Sequence, residues 1–152
     1  MSDVRVVTLA GSDIVLKGEA IENFKSSLSG KLLLAGDPAY DEARVIWNAM
    51  IDRKPALIAR CTDAEDVARC VKFGREHNLL TSVRGGGHNI AGNAVCDGGL
   101  MIDLSLMKSV RVNIAGRTAR VEPGATLGDV DNATQAVGMA IPVGINSTTG
   151  IA

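Results

Sequence analysis

One stretch of twelve residues constrains this chain more than any other: Ser82-Val83-Arg84-Gly85-Gly86-Gly87-His88-Asn89-Ile90-Ala91-Gly92-Asn93. It grows out of an apolar run, Leu79 to Arg84, that reads as a strand. Three consecutive glycines then weaken any regular element, so the strand must end and the chain must turn. A loop leaving a parallel strand sits at the carboxyl edge of its sheet, where open α/β sheets bind ligands. Bare glycine backbone lets amide groups approach an anion, so Gly85, Gly86 and Gly87 can cradle a phosphate with Arg84 adding charge. A tight strand-exit turn accounts for the same glycines equally well.

The flanking sequence supplies the sheet. Residues 56–60, "ALIAR", read as a strand, and "GLMIDLS" at 99–105 reads as another. Between the first strand and Leu79–Arg84 lies "TDAEDVARCVKFGREHN", a helix with Thr62 and Glu65 in capping-box spacing. Its inward face is expected to be Ala64, Val67, Cys70, Val71 and Gly74. A strand, a crossover helix and a strand form a βαβ unit, hence a small parallel sheet.

Upstream, residues 11–30 predict an amphipathic helix capped by Ser12, with Ile14, Leu16, Ala20, Ile21, Phe24 and Leu28 as its stripe and Gly30 as its end. "KLLLAGDPAYDEARVIWNAM" predicts a short apolar run, a turn and a second helix. Tyr40 and Trp47 are expected in the core. Downstream, residues 109–125 predict a hairpin turning at Ala115-Gly116. A helix follows from Thr126, with Asp129 as capping partner, Leu127, Val130, Ala133 and Val137 inward, and Gly138 at its end. The change of character near residue 105 marks a subdomain boundary.

Standard nucleotide motifs do not fit the glycine loop. No lysine stands where a P-loop requires one, and the dinucleotide pattern fails because Ile90 occupies its third glycine position. The formal net charge of −1 leaves no basic excess for nucleic acid or an acidic membrane. With four aromatic residues, Phe24, Tyr40, Trp47 and Phe73, a base-stacking platform is not expected. Cys61, Cys70 and Cys96 show no CxxC spacing and are expected as small buried apolar side chains. The N-terminus has no apolar signal core and no run reaches membrane-span length, so a reducing, cytoplasmic setting is expected.

His88 is the reactive group beside the glycines. A neutral imidazole serves as nucleophile, base or metal ligand. The other histidine, His77, lies in a polar helix end and is expected to face water, so no metal site is expected. On chemistry alone a hydrogen-bonded structural role for His88 is an even alternative. Asp103, Glu122, Asp129 and Asp131 are explained as caps and solvated faces.

The segments "VRGGGHNIAGNAVCDGGLMIDLSLMKSV", "ARVEPGATLGDVDNAT" and "GMAIPVGINSTTGIA" together resemble the berberine bridge enzyme-like FAD-dependent oxidases, members of the vanillyl-alcohol oxidase superfamily. The resemblance runs from about Leu33 to the last residue. It implies an α+β fold, the PCMH-type FAD-binding domain. Its small parallel sheet is flanked by helices and followed by the start of a second, mainly antiparallel α/β subdomain. The implied divisions are an N-terminal helical segment 1–30, a first FAD-binding subdomain 31–104 and the start of a second at 105–152. FAD is the implied cofactor. Arg84, Gly85, Gly86, Gly87 and Asn89 would form the pyrophosphate loop, continued by Gly92 and Asn93. His88 would be a covalent tether to the flavin. Pro123 and Gly124 would turn under the cofactor, and Gly144, Thr148, Thr149 and Gly150 belong to a second flavin-contacting segment. Where many relatives carry a second, cysteinyl tether, this chain has Asn146, so a single histidyl link is implied.

Family members are roughly three times this length. The resemblance implies that the remaining FAD domain and the substrate domain, with the catalytic bases, lie beyond the last residue. No catalytic acid or base is therefore expected within the chain, which alone should be inactive. The implied partners are a small-molecule substrate (an alcohol, sugar, amine or secondary metabolite), the missing C-terminal part and a second copy of the chain. The readings that stand beside this one are a catalytically silent fragment and a non-covalent nucleotide or phosphate binder.

Overall fold

A computed structural model describes residues 2–152. The chain opens with a hairpin, β1 (Val4–Val7) and β2 (Asp13–Leu16), paired antiparallel. Helix α1 (Gly18–Ser27), strand β3 (Lys31–Leu33) and the short helix α2 (Tyr40–Arg44) follow. Then come β4 (Leu57–Arg60), α3 (Ala64–Glu76), β5 (Thr81–Arg84) and β6 (Leu100–Asp103). A second hairpin, β7 (Val110–Asn113) and β8 (Thr118–Val121), leads into α4 (Leu127–Gln135).

The central sheet has the order β3-β4-β6-β5. Strands β4, β6 and β5 are parallel, and β3 adds an antiparallel edge. The crossover through α3 leaves a gap between β4 and β5, which β6 fills. Both faces of the sheet are covered, which is why its strands are nearly continuously apolar rather than alternating. Leu57, Ala59, Leu100 and Ile102 pack on one side with Val6, Leu16, Ile21, Phe24, Cys70 and Phe73. Ile58 and Met101 point to the other side, against Tyr40, Ala43, Ile46, Ala94 and Val95. Leu57, Ile58, Leu100 and Met101 are wholly buried, each contributing roughly 1.5–3 kcal/mol of apolar transfer free energy.

Asp66 ties the helical layer to the sheet edge. Its buried carboxylate accepts hydrogen bonds from the amides of Ser29 (2.8 Å), Gly30 (2.9 Å) and Thr62 (3.1 Å), and Arg69 lies 3.2 Å away. Burial pushes its pKa up, but the Ser29, Thr62 and Gly30 amides outweigh this and hold it below the ordinary value.

Several expectations are corrected. The helix predicted from Ser12 is instead strand β2 followed by α1 from Gly18, so Ile14 and Leu16 lie on a hairpin. Ser12 bonds Thr8 across the hairpin turn (2.8 Å). The second helix stops at Arg44, where Val45 turns extended. Helix α3 is capped by Asp63, whose side chain accepts from the Asp66 amide, rather than by Thr62. Its inward face is Asp66, Cys70, Phe73 and Gly74, while Ala64 and Val71 face solvent. The second hairpin turns around Ala115-Gly116 as expected, with a positive φ of 50° at Arg117 and the Asn113 side chain accepting from the Gly116 amide. Helix α4 has the expected Thr126–Asp129 capping box, but Val137 lies past its end and is exposed.

Candidate functional site

Strand β5 ends at Arg84, and the glycine loop leaves from the carboxyl edge of the parallel sheet. Gly87 has φ +72°, a left-handed conformation that ordinary residues resist, so the turn there needs glycine. Among the described residues the amides of Gly85, Gly86, Gly87, His88 and Asn89 donate no hydrogen bond within the chain. Successive donors without acceptors at a sheet edge form an anion cradle.

The loop borders a cavity of about 280 Å³ lined by Val83, Gly85, Gly87, His88, Asn89, Asn93, Ala94, Leu104 and Ala152. His88 is half-buried and forms part of this lining. The indole of Trp47 stacks on its imidazole, with ring centroids 5.4 Å apart and planes 22° apart. Trp47 is 63% exposed, contrary to the expected core position. Tyr40 is buried as expected, its hydroxyl donating to the Pro55 carbonyl (2.7 Å).

Distant segments meet at the loop. A Cβ on Gly86 would collide with the Gly150 backbone, and one on Gly85 would lie 2.7 Å from the Pro123 carbonyl. Two of the three loop glycines are thus required by packing of the chain on itself, in addition to any ligand. The C-terminal segment is held by α4: the Leu127 amide donates to Thr149, Gly128 to Ser147, and the Ile151 amide to Ala125. These bonds and the Thr126 cap satisfy the first amides of α4, so that helix end presents no free donors to a ligand.

The other expected residues divide clearly. Asn89 braces the loop, its side chain accepting from the Asn93 amide (3.0 Å). Gly92, with φ +74°, packs on Ile51. Gly124 packs against the Leu104 carbonyl, and Gly144 sits beside Leu127. Thr148 donates its hydroxyl to the Asn146 side chain (2.9 Å), which also accepts the Thr148 amide (3.2 Å). Asn146 therefore acts as a turn-former. Gly86, Gly92, Pro123, Gly124, Gly144, Thr148, Thr149 and Gly150 lie outside the cavity lining, while Gly85, Gly87, His88, Asn89 and Asn93 form part of it.

Arg84 points away from this cavity. Its guanidinium donates to the Ala43 carbonyl (2.5 Å) and lines a neighbouring cavity of about 380 Å³ with Glu42, Arg60, Ser105, Leu106 and Lys108. Its Nε is buried without a partner. Asp103 is fully buried against Arg60 (3.2 Å) and accepts the Ser105 amide (3.0 Å), so it is an internal ion-pair partner rather than a solvated carboxylate. His77 is half-buried with its ring 4.5 Å from Phe73 rather than fully in water. Leu104, just past the end of β6, was reachable by the sheet-edge rule that singled out the loop after β5. Val83, at the carboxyl end of β5, was reachable in the same way, whereas Ala94, Ala152 and Trp47 carry no such signal.

Residues 55–152 match the family of FAD binding domains. The chain belongs to that family. It is 37% identical over 124 residues to (R)-6-hydroxynicotine oxidase of Paenarthrobacter nicotinovorans, covering 82% of this chain and 27% of the relative. The crystal structure of 6-hydroxy-D-nicotine oxidase from Arthrobacter nicotinovorans superposes with a TM-score of 0.79 at 37% identity, over 82% of this chain and 27% of that one. The BBE-like 1 protein of Physcomitrella patens superposes with a TM-score of 0.80 at 26% identity, over 86% and 29% of the two chains. The chain thus spans little more than a quarter of the length of these relatives. The fold is that of the PCMH-type FAD-binding oxidases.

The site of this FAD binding domain suits its cofactor. Free amides on a glycine loop match a pyrophosphate, and the adjoining cavity has apolar walls at Val83, Ala94 and Leu104. Among the described residues no helix is long and apolar enough to cross a membrane.

Proposed function

We propose that this chain is the FAD-binding portion of a flavin-dependent oxidase, with Gly85 to Asn89 holding the pyrophosphate and His88 bonded to the flavin. The observation that carries this reading is the run of acceptor-free amides from Gly85 to Asn89, of which Gly85, Gly87, His88 and Asn89 line one cavity. The oxidases and FAD-linked oxidoreductases among the relatives support the reaction class. When bound, the flavin accepts a hydride from a substrate alcohol, sugar, amine or secondary metabolite and passes the electrons to oxygen. The chain's own residues contribute placement: the amides bind the anion, and buried Ala94 and Leu104 limit water.

For the tether, His88 would supply an imidazole nitrogen to the ring's 8α-methyl carbon; the nitrogen would lose its N–H proton and the carbon one hydrogen, with the two electrons and two protons going to oxygen as hydrogen peroxide. We assign residues 31–104 to a first FAD-binding subdomain and 105–152 to the start of a second, with the substrate domain on a following part of the same polypeptide.

The test is a denaturing gel of the chain after incubation with FAD. Flavin fluorescence should migrate with the protein, and His88→Ala should abolish it. Acid-stable flavin persisting in His88→Ala would overturn the tether. The free amides also suit a non-covalent nucleotide or phosphate binder; flavin that co-elutes but leaves on denaturation would favour that reading.

A further inference from the structure

Trp47 sits where the chain needs a brace. His88 follows Gly87, whose left-handed backbone gives the loop its turn. Among the described residues no side-chain hydrogen bond fixes the His88 imidazole, so its two side-chain torsions are limited only by packing. The aromatic partner that limits them is Trp47, stacked at 5.4 Å.

Trp47 is itself held by the loop it touches. Its amide donates to the Gly87 carbonyl (3.1 Å), and the Asn48 side chain donates to the Ile90 carbonyl (2.9 Å). Ile46, buried at 4% exposure, roots the segment in the second core cluster. The 46–48 segment is thus clamped on both sides of His88, at Gly87 and at Ile90. Burial does not explain the indole, because most of it lies in solvent. A large aromatic left 63% exposed against a reactive imidazole is placed for that contact.

We infer that Trp47 is a positioning residue that fixes the ring plane of His88 for attachment of the flavin. The inference rests on the tether reading above. Stacking restricts rotation of the imidazole and shields one of its faces from water while leaving its ring nitrogens free to react.

Two readouts test it on the 152-residue chain. The first needs no cofactor: proton resonances of the His88 ring in Trp47→Ala and Trp47→Phe, with His77 as internal control. Indole ring current should move the wild-type His88 signals, Trp47→Ala should return them towards ordinary positions, and His77 should not change. The second is the covalent fraction after incubation with FAD, against total flavin retained on desalting. Trp47→Ala should cut the covalent fraction at least tenfold with total flavin nearly unchanged, and Trp47→Phe should restore most of it. Unmoved His88 signals in Trp47→Ala would overturn the contact. Moved signals with an unchanged covalent fraction would overturn the positioning role and leave the tether standing. A wild-type chain carrying only removable flavin, or none, would overturn the tether reading and this inference with it.

Discussion

Gly86 and Gly150 lie back to back, although they stand 64 positions apart in the chain. A Cβ built on Gly150 would lie 2.6 Å from the Gly86 Cα, and one on Gly86 would strike the Gly150 backbone. This contact seats the C-terminal segment on the glycine loop and joins the two halves of the site.

Gly150→Ala should therefore loosen the segment. Relief requires backbone movement on one side, which costs about 1–3 kcal/mol as overpacking. Hydrogen exchange should quicken most at the amides of Leu127, Gly128 and Ile151, which depend on the docked segment. Unchanged exchange at those three amides would contradict the packing argument.

Asp66 should govern acid stability. Its folded carboxyl titrates below its ordinary range because the Ser29, Thr62 and Gly30 amides outweigh the opposing effect of burial. The unfolded chain therefore takes up the proton first. The stabilisation is complete above about pH 4 and is lost as pH falls through the lowered folded value. Asp66→Ala should cost about 1–3 kcal/mol at pH 7 by leaving the Ser29, Gly30 and Thr62 amides without their acceptor. Its melting temperature should also depend less on pH below about 4 than that of the wild type. Parallel pH profiles would show that the carboxylate is not the cause.

The Thr126–Asp129 capping box should be worth about 1 kcal/mol to α4, so Thr126→Ala should lower the urea midpoint by a corresponding amount. The Thr126 amide and hydroxyl hold the Asp129 carboxyl below its ordinary value, so the box weakens on acidification in the same direction as Asp66. A Thr126→Ser variant should keep most of the stability, since its hydroxyl can make the same bond.

All three thiols should resist modification in the folded chain. Cys61 and Cys70 lie with sulfurs 3.7 Å apart, and this contact together with burial pushes the Cys61 thiol up. Burial pushes the Cys96 thiol up as well. Ellman's reagent should find almost no thiol in native protein and three per chain in denaturant. Rapid reaction of any one in the native state would contradict its burial.

The sequence alone determined the local features. Apolar runs marked β4, β5 and β6, the S/T-x-x-D/E spacing marked the start of α4, and glycines after a strand marked the loop, because these signals act between near neighbours in the chain. Motif order pointed to the FAD-binding domain. Tertiary structure decided what needed distant partners. Residues 13–16 carry an apolar spacing compatible with a helix, yet they form a strand because β1 offers them a ladder to pair with. Arg84 turned from the expected anion to the Ala43 carbonyl because α2 lies beside it. Gly86 is glycine partly because Gly150 arrives there. Trp47 met His88 only when the loop after α2 folded over the loop after β5, a contact that no spacing along the chain encodes.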